Sequence, residues 1–137
     1  MNLFLGTWVA NLEKSRRHAN HQFQSATLAF DVSGDVVSLT HAGVNMAGKP
    51  ESGTTVLNAD GNEHPVSPQA PGVVAVTKWI GTHVLATEAR KDGRPVGKAT
   101  YAVSDDGTML TATVEGIDAA GKAFEQVIVF DRRSHLD

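Results

Sequence analysis

The chain contains no cysteine among its 137 residues. Disulfide cross-links, a thiol nucleophile and thiolate metal ligands are therefore all excluded. Aromatic residues are also few, at 6% of the sequence, and no apolar run approaches the roughly 20 residues of a membrane-spanning helix. Stability must come from a hydrophobic core and from backbone pairing. A chain of this length is expected to form one domain over residues 1–137.

Charge of either sign is not in large excess. The formal net charge is −3 and the pI is near 6.0, with Lys and Arg scattered along the chain. Such a surface lacks the basic face that a nucleic acid or an anionic membrane requires. The first residues have neither the basic head nor the apolar length of a signal peptide. We expect a soluble protein, either cytoplasmic or a mature secreted domain numbered without its leader.

Turn signals built on Gly, Asp, Asn and Pro recur about every 8–12 residues. Three of them are Asp-Gly pairs, which favour hairpins because both residues tolerate positive φ. Between the turns lie runs rich in Val, Thr, Ala, Leu and Phe, at about residues 6–12, 23–32, 36–45, 53–58, 73–79, 83–90, 96–104, 108–116 and 123–131. This pattern predicts an all-β fold, a closed antiparallel up-and-down barrel of about 8–10 strands. Helical stretches do not separate the runs, which excludes a βαβ architecture.

Two segments interrupt this rhythm. Residues 12–22 are polar and carry His18 and His21, and we expect them to form a lid over one mouth of the barrel. Residues 62–72 contain three prolines and cannot form a central strand. This second segment is predicted to be a crossing loop or a broken edge strand.

The alternation of side chains along each strand predicts which residues line the interior. In the run that begins at His83, Glu88 and Arg90 form the natural solvent-facing pair, which leaves the opposite set for the interior. The last run, Phe124–Phe130, is apolar on both faces, so its orientation is not resolved. The predicted interior set is His83, Leu85, Thr87, Ala89, Ala99, Tyr101, Val103, Leu110, Ala112 and Val114. Because these side chains are small or medium-sized, the barrel is expected to retain a cavity.

A tryptophan two residues after a glycine, in Gly6-Thr7-Trp8, is typical of a barrel whose one end is closed by the indole. Further short motifs follow in order: Asn11 with Lys14-Ser15, residues 60–66, residues 91–94, residues 104–111, Gly116, residues 118–122 and residues 127–132. Together they resemble the small bacterial lipocalin-like domains of the calycin superfamily over nearly the whole chain. The resemblance implies that Trp8 packs across one end. It also implies that Arg132 or Arg133 lies over the indole, a cation–π contact of about 0.5–2 kcal/mol.

A barrel with a cavity predicts the binding of a small, largely apolar molecule, with selectivity from a few polar groups. The predicted ligand-binding residues are His41, Trp79, His83, Leu85, Thr87, Ala89, Tyr101, Val103, Leu110 and Ala112. One alternative is a cofactor-independent isomerase, cyclase or hydrolase that uses His83 and Tyr101 as acid–base groups in the same cavity. Another is a barrel with a filled core that acts through its surface, as a monomer or a homodimer.

The six histidines are the residues best suited to chemistry at neutral pH. His18 and His21 share a spacing that could place both on one side of a short turn, but no third ligand accompanies them. No metal site and no cofactor are therefore predicted. The sequence also shows no Gly-x-Ser-x-Gly motif and no glycine-rich phosphate loop.

Overall fold

The computed structural model describes residues 4–16, 23–65, 72–117 and 121–132. Within these ranges the secondary structure is entirely β, and no helix there is long and apolar enough to cross a membrane. The strands are β1 Gly6–Arg16, β2 Phe23–Ser33, β3 Val36–Asn45, β4 Pro50–Asn58, β5 Glu63–Pro65, β6 Val73–Ile80, β7 Val84–Lys91, β8 Arg94–Val103, β9 Met109–Ile117 and β10 Ala123–Arg132.

The strands form one antiparallel sheet in the order β4-β3-β2-β1-β10-β9-β8-β7-β6-β5. Pairing of β1 with β10 joins the two ends of the chain and rolls the sheet into a nearly closed barrel. Among the described strands, the ladder is interrupted between β4 and β5, where β6 approaches β4. The prediction of an all-β up-and-down barrel is confirmed, with this gap as the departure from full closure.

Two elements differ from the predicted runs. A short edge strand, β5, pairs with β6 and ends at Pro65, which has no N–H to donate to a further ladder. The first strand extends to Arg16, so the prediction that a lid begins at Leu12 is wrong for residues 12–16. His18 and His21 lie outside the described residues.

A β-bulge between Asn11 and Arg16 accounts for the polar continuation of β1. The Ser15 hydroxyl donates to the carbonyl oxygen of Asn11 at 2.7 Å and accepts from the Val129 amide at 2.9 Å. The Asn11 amide in turn donates to the Asp131 carboxylate at 3.0 Å. These side-chain bonds replace ladder bonds that the bulge removes. A strand can therefore be polar here without losing its attachment to β10.

Strand direction defines the two ends of the barrel. Trp8 lies near the start of β1. The β2–β3, β6–β7 and β8–β9 connections lie at the same end of the barrel as Trp8, because consecutive strands are antiparallel. We call this the closed end. The β3–β4, β7–β8 and β9–β10 connections lie at the other, which we call the open end.

The closed end is built around the Trp8 indole, which is fully buried. Its Nε1–H donates to the carbonyl oxygen of Phe4 at 3.1 Å. The Arg132 guanidinium lies 4.2 Å from the centroid of the indole. Its Nε donates to the carbonyl oxygen of Gly107 at 2.7 Å, and its Nη1 donates to that of Leu5 at 2.8 Å. Of the two arginines that the resemblance suggested, Arg132 therefore occupies this position. Arg133 lies outside the described residues.

Glycine is required at position 6 for two reasons. Its φ is +118°, which L side chains rarely adopt, and a Cβ added there would lie 3.2 Å from Nη1 of Arg132. The Gly-x-Trp pattern thus combines a residue that lets Arg132 approach the backbone with the ring on which Arg132 stacks.

The first prediction concerns this glycine. Gly6→Ala is expected to lower the free energy of unfolding by about 2–3 kcal/mol, because it combines backbone strain with displacement of Arg132. Gly34→Ala is the matched control, since Gly34 also has positive φ (+61°) but nothing within 4 Å of the added Cβ. It should cost about 1 kcal/mol. Urea unfolding measures both, and equal losses would contradict the role of Arg132.

Candidate functional site

The interior face of β6–β10 follows from the cross-strand register, because directly paired residues in an antiparallel sheet share a face. Three successive rows of paired residues run across these strands from the closed towards the open end. The lower row is Trp79, Leu85, Tyr101, Ala112 and Ile128. The middle row is Thr77, Thr87, Ala99, Val114 and Gln126. The upper row is Ala75, Ala89, Gly97, Gly116 and Phe124.

These rows contain the side chains that alternation predicted for the interior, apart from His83, Val103 and Leu110. Val103 pairs with Leu110, and Leu110 with Phe130, one row closer to the closed end. The register also orients β10, which the sequence pattern left open, with Ile128 and Phe130 on the interior face. Contact of any of these residues with a ligand stays a prediction.

Aromatic rings fill the closed half of the interior. Phe4 packs edge-to-face against Phe30 and Trp79, with ring centroids 5.3 and 5.2 Å away. Phe30 packs in the same manner against Tyr101, at 5.7 Å. These separations are typical of favourable aromatic pairs. Trp79 therefore packs against the core of the closed end.

Six of the predicted ligand-binding residues lie in this packed half. Leu85 and Leu110 are fully buried there, Val103 and Ala112 are 4% and 6% exposed, and Trp79 and Tyr101 pack against the same cluster. They form the floor of any remaining space.

The open half of the interior retains space because its side chains are small. One cavity of about 310 Å³ lies against the open-end parts of β7–β10, and its interior-face lining includes Thr87, Ala89, Ala99, Val114 and Phe124. A cavity of this size is at the lower end of the range that ligand sites occupy.

A second cavity, of about 490 Å³, lies at the gap between β4 and the β5–β6 pair. Its lining includes Thr55, Leu57, His64, Ala75 and Thr77. The gap therefore opens the side of the barrel towards the same interior face.

Two threonines of the middle row separate the two cavities. Thr77, which is 1% exposed, donates its hydroxyl to Oγ1 of Thr87 at 2.9 Å. Thr87 keeps its own hydroxyl proton for another acceptor. Sequence reasoning missed Thr77, although the alternation Ala75, Thr77, Trp79 around the outward Lys78 carried the signal.

Tyr101 places a third hydroxyl in this region. No hydrogen-bond partner for it occurs among the residues that the structure describes, and burial raises the pKa of Tyr101 above its ordinary value of 10.0. The phenol therefore stays neutral and able to donate over the whole physiological range.

The structure separates His83 from the interior, so its predicted position in the lumen is wrong. The residue lies in the β6–β7 turn at the closed end, just before β7 begins. Its side chain is 38% exposed, with Nδ1 2.8 Å from the Thr82 hydroxyl and Nε2 3.8 Å from the Asp105 carboxylate. Alternation failed here because β7 begins at Val84, one residue later than the pattern suggested. The acid–base pair of His83 with Tyr101 is not brought together.

The other described histidines lie beside the interior. His41 pairs with Leu28 and Gly53 on the interior face but is exposed, next to a small cavity of about 220 Å³ at the open-end parts of β2 and β3. His64 lies at the gap, with Nε2 2.9 Å from the Asp60 carboxylate. Across the described ranges, no three His, Cys, Asp or Glu side chains converge in a way that could hold a metal ion.

Solved structures with the same architecture cover almost the whole chain. A variant of the fluorescent protein UnaG is 17% identical, with a TM-score of 0.65 over 97% of this chain and 98% of that one. A Schistosoma mansoni fatty acid binding protein in complex with arachidonic acid is 15% identical, with a TM-score of 0.65 over 98% of each chain. A zebrafish ileal bile acid-binding protein complexed with cholic acid is 14% identical, with a TM-score of 0.61 over 96% of this chain and 99% of that one. The fold is that of a calycin barrel.

At these identities the likeness concerns the fold alone. No protein-family model matches the chain, and no curated protein sequence matches it either. A function for this barrel must therefore be argued from its own side chains.

The second prediction concerns the single tyrosine of the chain. In the native protein Tyr101 should ionise above pH 10, and in urea close to pH 10, as followed by tyrosinate absorbance. Because the native phenol holds its proton more tightly than the unfolded one, stability should be full below pH 10 and fall as pH rises further. Tyr101→Phe should remove this alkaline component. A native midpoint at or below 10 would contradict the burial of the hydroxyl.

The third prediction concerns the threonine pair. Thr87→Val leaves the buried Thr77 hydroxyl without its acceptor and should lower the free energy of unfolding by about 1–3 kcal/mol. Thr77→Val combined with Thr87→Val should cost less than the sum of the single changes, because no hydroxyl is then left unpaired. Urea unfolding of the four proteins in the cycle provides the test. Strict additivity would show that the two hydroxyls are not coupled.

Proposed function

We propose that this calycin barrel binds a small, largely apolar molecule in the open half of its interior. The observation that carries the proposal is the contrast between the two halves. Aromatic rings fill the closed half, whereas the upper row presents alanine and glycine on β6–β9 and a single ring, that of Phe124, on β10.

Apolar burial would supply most of the affinity. Each Å² of apolar surface removed from water contributes roughly 25 cal/mol, before the costs of association are subtracted. The walls that Ala89, Ala99 and Val114 provide cannot form hydrogen bonds, so they favour hydrocarbon over a polar ligand. Thr87, Tyr101 and, at the rim, His41 would supply orientation.

The similar structures support the same reading. Two of them hold arachidonic acid or cholic acid, both molecules with a large apolar body. For this chain we propose ligand contact by Thr87, Ala89, Tyr101 and Ala112. Trp79, Leu85, Val103 and Leu110 would form the floor on which the ligand rests.

Both alternatives from the sequence are weaker. A surface-acting barrel with a filled core does not explain why four of the five upper-row residues are alanine or glycine. The isomerase, cyclase or hydrolase hypothesis has lost the histidine that it placed beside Tyr101, since His83 faces Thr82 and Asp105.

The fourth prediction tests the cavity directly. Ala99→Phe places a ring in the open-half cavity and should weaken binding of the neutral dye Nile red at least ten-fold, as measured by its fluorescence. Thr100→Phe is the matched control, because the next residue on β8 faces outward and an aromatic fits a strand surface. Its affinity should match that of the unchanged protein.

Two results would contradict the proposal. One is the absence of saturable Nile red binding to the unchanged protein. The other is equal binding by the Ala99→Phe and Thr100→Phe variants, both shown to be folded by circular dichroism.

A further inference from the structure

We infer that the ligand of this barrel carries an uncharged oxygen acceptor at its buried end, such as the carbonyl of an ester or ketone, and not a carboxylate. The inference rests on the proposed function and specifies the ligand class for the same site. Three features of the described interior support it: the chemistry of its polar groups, the charges at its rims and the free hydroxyl protons near its centre.

The polar side chains in the three rows of β6–β10 are uncharged: Thr77, Thr87, Tyr101 and Gln126. The facing strands contribute Thr55, His41 and His64, with Glu51 at the open rim. Within the described ranges, no Lys or Arg belongs to these rows. A buried carboxylate is stable only when a cation or several strong donors compensate for its lost hydration.

The charged side chains that border the interior on the side of β4 and the gap are negative, and they would repel the carboxylate of a ligand. Glu51 lies at the open rim of β4, held by the Asn45 amide at 2.9 Å. Asp60 lies beside the gap, and its pKa is lowered by the Asn62 backbone N–H and by His64, so it stays ionised. Lys91, which shares this face by alternation, is an exposed residue of the β7–β8 hairpin opposite Val73, too far along the strand to reach the middle row, and Lys98, whose residue borders the open-half cavity, belongs to the outward row of β8.

Two hydroxyl protons remain for a ligand. Thr87 accepts from Thr77 and keeps its own proton, and the Tyr101 hydroxyl has no partner among the described residues. Because Tyr101 pairs with Leu85, two residues before Thr87, the two side chains are diagonal neighbours on one face. Such neighbours are about 7–8 Å apart at the backbone and within reach of an aromatic side chain, so one ligand oxygen can contact both hydroxyls. A carbonyl oxygen has two lone pairs and can accept from both donors.

The experiment compares three probes that share one hydrocarbon chain: methyl decanoate, decanoate and decane. Each is titrated at pH 8 as a competitor of Nile red. Methyl decanoate should bind at least ten-fold more tightly than decanoate and more tightly than decane. Tyr101→Phe keeps the ring that packs against Phe30. It should weaken the binding of methyl decanoate about ten-fold and leave the binding of decane nearly unchanged.

Thr87→Val provides a second variant for the same donor pair, and Thr113→Val is the matched control on the outer face of β9. Thr87→Val should weaken the binding of methyl decanoate more than that of decane, whereas Thr113→Val should change none of the three affinities. Unfolding curves for each variant establish that the binding data come from folded protein.

The outcomes separate the two proposals. Decanoate binding as tightly as its methyl ester overturns the inference and leaves apolar binding standing. Equal binding of ester and decane, or an ester affinity unaffected by both Tyr101→Phe and Thr87→Val, likewise overturns the inference alone. If none of the three probes competes with Nile red, apolar binding in the open half is itself overturned, and the inference with it.

Discussion

The pairing of the first strand with the last is the constraint on which the rest of the barrel depends. Without β1 against β10, the sheet would have two further free edges and no enclosed interior. Arg132 reinforces this junction from one end: it stacks on Trp8 of β1 and donates to backbone carbonyls of the N-terminal segment and of the β8–β9 turn. One guanidinium thus joins three parts of the chain that are distant in sequence, and Gly6 provides the space for it.

From this junction the interior divides by side-chain size. Phe4, Phe30, Trp79 and Tyr101 interlock near the closed end, where the indole of Trp8 completes the core. Towards the open end the same face presents Thr87, Ala89 and then Gly97 and Gly116, which cannot fill the space between opposite walls. One sheet therefore encloses a packed core at the closed end and unfilled space at the open end. The boundary between them is the row of hydroxyls at Thr77 and Thr87.

Much of this could be predicted from the sequence because strand alternation is a local property. Leu85, Tyr101 and Ala112 were assigned to the interior from parity alone, and the register places them in one row. Parity failed where a strand stopped. His83 has the correct parity but belongs to a turn, and the sequence contains no clear signal for that boundary. Leu12–Arg16 were mistaken for a lid because the Ser15 bridge that keeps them in β1 depends on β10, more than a hundred residues later. The aromatic packing of Trp79 against Phe4 and the gap beside β4 arise from closure of the whole barrel, which no local pattern encodes.

The gap between β4 and β5 also affects how the barrel can move. A sheet that is hydrogen-bonded all the way round has a fixed circumference, because it can widen only if the hydrogen bonds between two strands break. Here β4 and β6 approach each other without a shared ladder, so the wall can widen or narrow at this seam while the described strand pairs stay intact. The energetic cost of such a motion falls on side-chain contacts around Leu57, His64 and Thr77 and on one backbone hydrogen bond, from the Gly61 amide to the Thr77 carbonyl oxygen at 2.9 Å. The open half can thereby change its volume, while the core around Trp8 keeps its shape.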